Sequence, residues 1–144
     1  MLYLGSDGVT ALAEVQALFQ TGATGIHQMI HDPMVVFSVV GIVADVVDLR
    51  DEDVQNDLGT TEQELAGPWV RAQAPHVKGK GPLPVTQVLG QAAYDTALIA
   101  GLVYASARAD GGTNLVVFPD RLSLNSANRI EVHSSKNLLS QRLP

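Results

Sequence analysis

A valine-rich segment at residues 35–47 constrains the fold of this 144-residue chain more than any other stretch. β-Branched side chains at this density favour a buried β-strand, because they pack well on a pleated surface and lose rotamer freedom in a helix. The longest uncharged apolar run, residues 34–44, is too short to span a bilayer as a helix. The N-terminus has no basic region followed by an apolar one. We therefore expect neither export nor membrane insertion.

The charge balance limits the partners of this chain. Nine Lys and Arg residues against fifteen Asp and Glu residues give a formal net charge of −6. Because negative charge repels phosphate backbones, we expect no direct binding of nucleic acid. The absence of cysteine excludes disulfides, thiolate catalysis and cysteine-based zinc sites, and it fits a reducing compartment. We therefore expect a cytoplasmic protein.

The first strand and the first helix carry an aromatic hydroxyl and a carboxylate eleven residues apart, and both groups can face one cleft. Tyr3 belongs to a short strand predicted over residues 1–4, on the face opposite to the two leucines of that strand. Glu14 belongs to an amphipathic helix predicted over residues 10–20, at the edge between its apolar face and solvent. The alternative is that Tyr3 is a half-buried strand residue and Glu14 an ordinary surface charge.

The rest of the chain mixes helix and strand patterns without regular alternation. Further helices are predicted at residues 52–58, from about 61 and at 84–100, and further strands at 102–107, 114–118 and 129–133. Residues 74–84 are rich in glycine, proline and lysine, which predicts a mobile surface loop able to close over a ligand. The irregular order predicts a single α+β domain over residues 1–144, in which residues 134–144 form a tail.

Two further groups of residues suggest chemistry. Ser106 ends a predicted strand beside a glycine-rich loop, and the alternative to a functional hydroxyl is a plain hairpin serine. His27 and His31 have the spacing of half a metal site. No third ligand follows at helical spacing, so we predict no metal.

Two stretches of the sequence resemble the signatures of the RES family. Residues 2–15, Leu-Tyr-Leu-Gly-Ser-Asp-Gly-Val-Thr-Ala-Leu-Ala-Glu-Val, are similar to the motif around the family glutamate. A second stretch within residues 86–119 is similar to the C-terminal signature, including Ser106 and the run Asn-Leu-Val-Val-Phe-Pro after the glycine-rich loop. The likeness covers about residues 1–133, and the two signatures stand in the order found in the family.

The resemblance implies an ADP-ribosyltransferase-like fold and a bacterial toxin that degrades NAD. By motif match, Glu14 corresponds to the family glutamate, Ser106 to its serine and Tyr3 to a tyrosine that lines the NAD pocket. NAD is then a substrate that Tyr3 and Ser106 help to bind, and no permanently bound cofactor is expected. The implied partner is an Xre-like antitoxin with a helix-turn-helix. An unpaired strand edge at residues 1–4 would also favour a homodimer.

The family arginine has no counterpart in this sequence. In the family it precedes the Leu-Tyr-Leu strand with which this sequence begins. Arginine offers forked donors to a pyrophosphate, so we expect weak activity or none unless Arg108, the nearest substitute, takes this role. Two alternatives to NAD degradation therefore stay open. One is an inactive homologue that only binds an antitoxin, and the other is an ADP-ribosyltransferase that modifies a protein.

Overall fold

A computed structural model describes residues 1–20, 36–67, 81–134 and 140–143 of the chain. Its elements are β1 (Leu2–Gly5), α1 (Gly8–Gln20), β2 (Phe37–Ile42), β3 (Val46–Asp48), α2 (Glu52–Leu58), α3 (Glu62–Leu65), α4 (Val85–Asp95), β4 (Gly101–Ala105), β5 (Thr113–Val117), a 3₁₀ helix (Pro119–Leu124), β6 (Arg129–Ser134) and β7 (Ser140–Leu143). They form the single α+β domain that the sequence predicts. Most of the loop predicted at 74–84, together with His27 and His31, lies outside the described residues.

The strands form two sheets. In the larger sheet the order is β1-β5-β4-β3, with β5 antiparallel to both of its neighbours and β3 parallel to β4. The smaller sheet is antiparallel and has the order β2-β6-β7. Strand β7 lies in the segment 134–144, which we expected to be a tail. That expectation is corrected, because β7 pairs with β6 along its backbone.

The larger sheet is packed on both faces. On one face its side chains join the helices in a buried cluster of Leu49, Ala93, Leu102, Val116 and Phe118. On the other face it meets the smaller sheet around Val117, Leu122 and Ile130. Leu2 and Leu4 pack into this second cluster, as the alternation of the first strand predicts. No helix in the described part of the chain is long and apolar enough to cross a membrane.

The valine-rich segment does not form one buried strand, so that prediction is wrong. It contains β2 and the start of β3, which belong to different sheets. Between them, Asp45 accepts hydrogen bonds from the side-chain amides of Asn125 at 3.5 Å and Asn128 at 3.3 Å. Strand β2 is a sheet edge, and Val39 is its one residue that is not exposed. Valine density indicates a strand, but the position of the strand in the sheet decides its burial.

The helices predicted at residues 52–58 and from about 61 are confirmed as α2 and α3, and each begins at a capping side chain. The Asp51 side chain accepts a hydrogen bond from the backbone N–H of Asp53 at 2.9 Å, and Gly59 ends α2 with a φ of 64°. The hydroxyl of Thr61 accepts from the backbone N–H of Glu64 at 3.3 Å, which caps α3. Such caps depend on residues within one helical turn, so they can be read from sequence.

Helix α4 ends earlier than its sequence pattern predicts. It begins after Pro84 as expected but ends at Asp95, and Ala97 then takes a positive φ of 55°. Gly101 is buried at the start of β4 and does not cap a helix. A β-carbon at Gly101 would collide with the carbonyl oxygen of Val116 in β5. Gly101 therefore allows β4 and β5 to pair closely at this point.

Helix α1 packs very closely on β1 at Gly5. A β-carbon at Gly5 would lie 2.7 Å from the backbone nitrogen of Ala11 and 3.2 Å from its β-carbon. These distances are too short for any residue other than glycine unless α1 shifts. Gly5 therefore sets how near α1, with Glu14, can approach the sheet.

We predict that Gly5→Ala lowers the free energy of unfolding by about 1–3 kcal/mol, because the added carbon pushes α1 away from β1. Gly90→Ala is the matched control, since Gly90 lies within α4 with open space around it. Alanine there should raise stability by up to about 1 kcal/mol through its helix propensity. Urea unfolding followed by circular dichroism measures both changes. Equal stability of the two variants would contradict the close packing of α1.

Candidate active site

The side chain of Asp7 fixes the start of α1. Its Oδ1 atom accepts hydrogen bonds from the backbone N–H groups of Val9 and Thr10, both at 2.8 Å. Its Oδ2 atom accepts from the hydroxyls of Ser6 and Thr10, both at 2.9 Å. These bonds, above all that from the Thr10 backbone, lower the pKa of Asp7 below its ordinary value of 3.8. The helix begins at Gly8, two residues before the predicted start.

Glu14 lies in the second turn of α1, where its carboxylate meets two side chains from the sheet region. Its Oε1 atom accepts a hydrogen bond from the Ser106 hydroxyl at 2.6 Å and another from the Asn114 Nδ2 amide at 2.8 Å. Asn114 is 4% exposed, and Glu14 and Ser106 are half-buried. Hydrogen bonds to an ionised acceptor are stronger than those between neutral groups. Three elements therefore converge on one carboxylate oxygen, and we call these residues the Glu14 cluster.

The hydroxyl of Ser106 donates one hydrogen bond and accepts two, all within the protein. Its oxygen accepts hydrogen bonds from the backbone N–H groups of Arg108 at 3.1 Å and Ala109 at 3.0 Å. A serine hydroxyl has a single proton, and here that proton is donated to Glu14. The backbone N–H of Ser106 also donates to the carbonyl of Gly112 at 2.8 Å, which closes the loop between β4 and β5. Ser106 therefore orients the Glu14 carboxylate in this arrangement.

Two tyrosines share the sheet face of Asn114. Tyr104 in β4 is paired directly with Asn114, and Tyr3 in β1 is paired with Val116, two residues further along β5. Burial, followed by the electrostatic influence of Glu14 and then of Tyr3, raises the pKa of Tyr104 to about 12. The Tyr104 hydroxyl therefore stays protonated at physiological pH. Tyr3 is 67% exposed at the edge of the sheet, where its ring is open to a ligand.

Arg50 is a cationic side chain that the fold brings near this end of the sheet. It forms a two-point ion pair with Asp48, at 2.6 and 2.8 Å, and donates to the Thr113 hydroxyl at 3.2 Å. The hydrogen bonds from Arg50 lower the pKa of Asp48. Thr113 and Asn114 are neighbours in one strand, so Arg50 lies on the sheet face away from the Glu14 cluster. The charge of Arg50 is thus balanced by Asp48.

One cavity, which lies between the two sheets, does not coincide with the Glu14 cluster. It has a volume of about 200 Å³ and is lined by aliphatic side chains that include Leu4, Val39, Val103 and Leu115. This lining offers no charged partner to a polar ligand. Across the described ranges, His, Asp and Glu residues form no group of three that could hold a metal ion. The Glu14 cluster is therefore the better candidate for chemistry.

A comparison with known protein families identifies the chain. The family model of the RES domain matches residues 1–136, which include every residue of the Glu14 cluster. The chain belongs to the RES domain family. No curated protein and no solved structure matches it.

The fold of this RES domain brings together two of the three residues that the sequence resemblance singled out. Glu14 and Ser106 are in direct contact. Tyr3 lies on the same sheet face, and its hydroxyl points to the sulfur of Met1 at 3.6 Å. Arg108 is exposed, and its backbone N–H, not its guanidinium, supports the cluster through Ser106.

Asn114 is the member of the cluster that sequence reasoning missed. It stood in the C-terminal signature without any assigned role. A signal was present, because asparagine is depleted in strands and here stands second in β5, directly before three apolar residues. Its partner Glu14 is 100 residues away, and that contact exists only in the folded chain.

We predict that Asp7→Asn lowers the melting temperature of this RES domain in a pH-dependent manner. Because the pKa of Asp7 is lowered on folding, its carboxylate stabilises the fold above the ordinary value of 3.8, and this effect is lost as the pH falls through the lower folded-state value. The difference between wild type and variant should be largest at about pH 6 to 7 and should shrink below about pH 4. Thermal unfolding across this pH range measures it. A difference independent of pH would show that the charge of Asp7 does not matter.

Proposed function

We propose that this RES domain cleaves the bond between nicotinamide and ribose in NAD and transfers ADP-ribose to water or phosphate. The observation that carries the proposal is the half-buried carboxylate of Glu14, which receives two hydrogen bonds on one oxygen. Membership of the RES family, whose domains act on NAD in toxin–antitoxin pairs, supports NAD as the substrate.

The reaction explains why a fixed carboxylate is useful. As the bond to nicotinamide breaks, its electron pair leaves with the nicotinamide, and positive charge develops on the ribose carbon and ring oxygen. A carboxylate beside this carbon stabilises that charge. It also takes the proton released when water or phosphate forms the new carbon–oxygen bond. In our proposal Glu14 performs both steps.

Tyr3 and Tyr104 suit the walls of such a site. The exposed ring of Tyr3 offers a flat surface on which nicotinamide can stack. The hydroxyl of Tyr104, whose pKa is raised to about 12, remains neutral and so adds no negative charge beside Glu14.

We predict that Glu14→Gln lowers the rate of NAD loss by about a hundredfold or more, because the charge that stabilises the transition state is removed. Glutamine can still accept hydrogen bonds from Ser106 and Asn114, so the fold should be retained. Glu62→Gln, at an exposed position in the first turn of α3, is the matched control and should keep the wild-type rate. NAD consumption by purified protein, with melting temperatures of all variants, gives the comparison.

The outcomes of this experiment separate the proposal from its alternatives. No NAD loss with the wild-type protein would favour a homologue that only binds an antitoxin. Wild-type turnover by Glu14→Gln would remove Glu14 from the chemistry. Chromatography of the products, with and without phosphate or added bacterial protein, distinguishes ADP-ribose, its phosphorylated form and a modified protein.

We also propose that a helix-turn-helix antitoxin, and not this chain, makes the contact of the complex with DNA. The formal net charge of −6 offers no broad surface that matches phosphates. We predict that the purified chain produces no shift of DNA in a gel at micromolar concentration and about 0.1 M salt. Salt-sensitive binding at submicromolar concentration by the chain alone would contradict this assignment.

A further inference from the structure

Asn114 occupies a position in which its side chain has little freedom. It lies in β5, between Gly5 of β1 and Tyr104 of β4, and pairs with both through the sheet. The absence of a side chain at Gly5 lets α1 cross closely above this point. The amide of Asn114 is therefore enclosed between the sheet and α1, and only 4% of the residue is exposed.

The two donors of the cluster act on the same oxygen of Glu14. Both the Ser106 hydroxyl and the Asn114 amide reach Oε1, and among the described residues no hydrogen bond ends on Oε2. Two directed hydrogen bonds on one oxygen fix the plane of the carboxylate as well as its position. In our scheme the second oxygen, Oε2, is the one that meets an external group.

We propose that Asn114 is a positioning residue that, with Ser106, holds Oε1 of Glu14 so that Oε2 faces the reacting ribose carbon; this inference rests on the proposed cleavage of NAD. Asn114 does not touch the substrate in this scheme. It acts through the orientation of the carboxylate, which must be maintained while charge develops.

The proposal depends on an amide at this position and not merely on a polar residue of the same size. Aspartate would place a carboxylate oxygen where the Asn114 amide now donates to Glu14 at 2.8 Å. A bond between the side chains would then become a repulsion between like charges. Asn114→Asp therefore changes the interaction with little change in volume. Asn114→Ala removes the donor without adding charge, and it serves as a second variant if the first does not fold.

Asn128 provides a matched control for the substitution to aspartate. It is also buried, with 7% exposure, and its amide also donates to a carboxylate, that of Asp45 at 3.3 Å. Asn128 lies outside the strands of the larger sheet, and none of the described hydrogen bonds joins it to the Glu14 cluster. Asn128→Asp therefore reports what the loss of a buried amide donor does to folding alone.

The test measures kcat and KM for NAD in wild type, Asn114→Asp, Asn114→Ala and Asn128→Asp, each corrected for the folded fraction. We expect Asn114→Asp and Asn114→Ala to lower kcat by about tenfold or more and to change KM by less than about threefold. We expect Asn128→Asp to retain the wild-type kcat. In the Glu14→Gln background, Asn114→Ala should cause little further loss, because the group through which it acts has already lost its charge.

Each result decides the inference. The proposal is overturned if Asn114→Ala lowers kcat by the same factor in the Glu14→Gln background as in the wild type. It is also overturned if Asn128→Asp lowers kcat as much as the Asn114 variants do. Either result would show a general structural role. A rise in KM without a change in kcat would instead place Asn114 in contact with NAD. If wild type is active and Glu14→Gln is not, while both Asn114 variants keep the wild-type kcat, the proposed function stands and the role of Asn114 fails. An inactive wild type overturns both.

Discussion

The close approach of α1 to β1 at Gly5 is the constraint on which the site depends. At this point the backbone of Ala11 fills the space that a side chain would occupy. The first turn of α1 also touches the loop after β4, where a β-carbon at Gly112 would lie 2.7 Å from the Thr10 hydroxyl. Helix, strand and loop are thus held together by contacts that tolerate almost no added volume. The length of a glutamate side chain then suffices to bridge α1 and β5.

Placing a polar cluster against a packed sheet has an energetic cost. A buried amide such as that of Asn114 loses its hydration, which costs about 1–3 kcal/mol if no partner replaces water. Its hydrogen bond to the Glu14 carboxylate is of the charge-assisted kind, which offsets that cost. On the opposite face, aliphatic side chains of the sheet pack against the smaller sheet, and Arg50 pairs with Asp48 beside Thr113. The Glu14 cluster and the inter-sheet core therefore lie on opposite faces of one sheet.

Local features of the sequence predicted local features of the fold well. The helices at residues 52–58 and from about 61, the strands on either side of the glycine-rich loop and the alternation of Leu2, Tyr3 and Leu4 all depend on near neighbours. The predictions failed where distant parts of the chain decide the outcome. The valine-rich segment was divided between two sheets, and α4 ended at Asp95, before its predicted end at residue 100. The residues of a strand alone predict neither which strand it pairs with nor how exposed it is.

The same distinction holds for the site. The sequence by itself determined the chemical types available, the α+β class and, through its resemblance to the RES family, the choice of Glu14 and Ser106 as candidate site residues. Only the tertiary structure decided that these two residues touch, that Asn114 joins them and that Arg50 is engaged on the other face of the sheet. The reason is physical. A hydrogen bond between residues about 100 positions apart forms only when the folded backbone brings the donor and acceptor atoms within about 3 Å of each other.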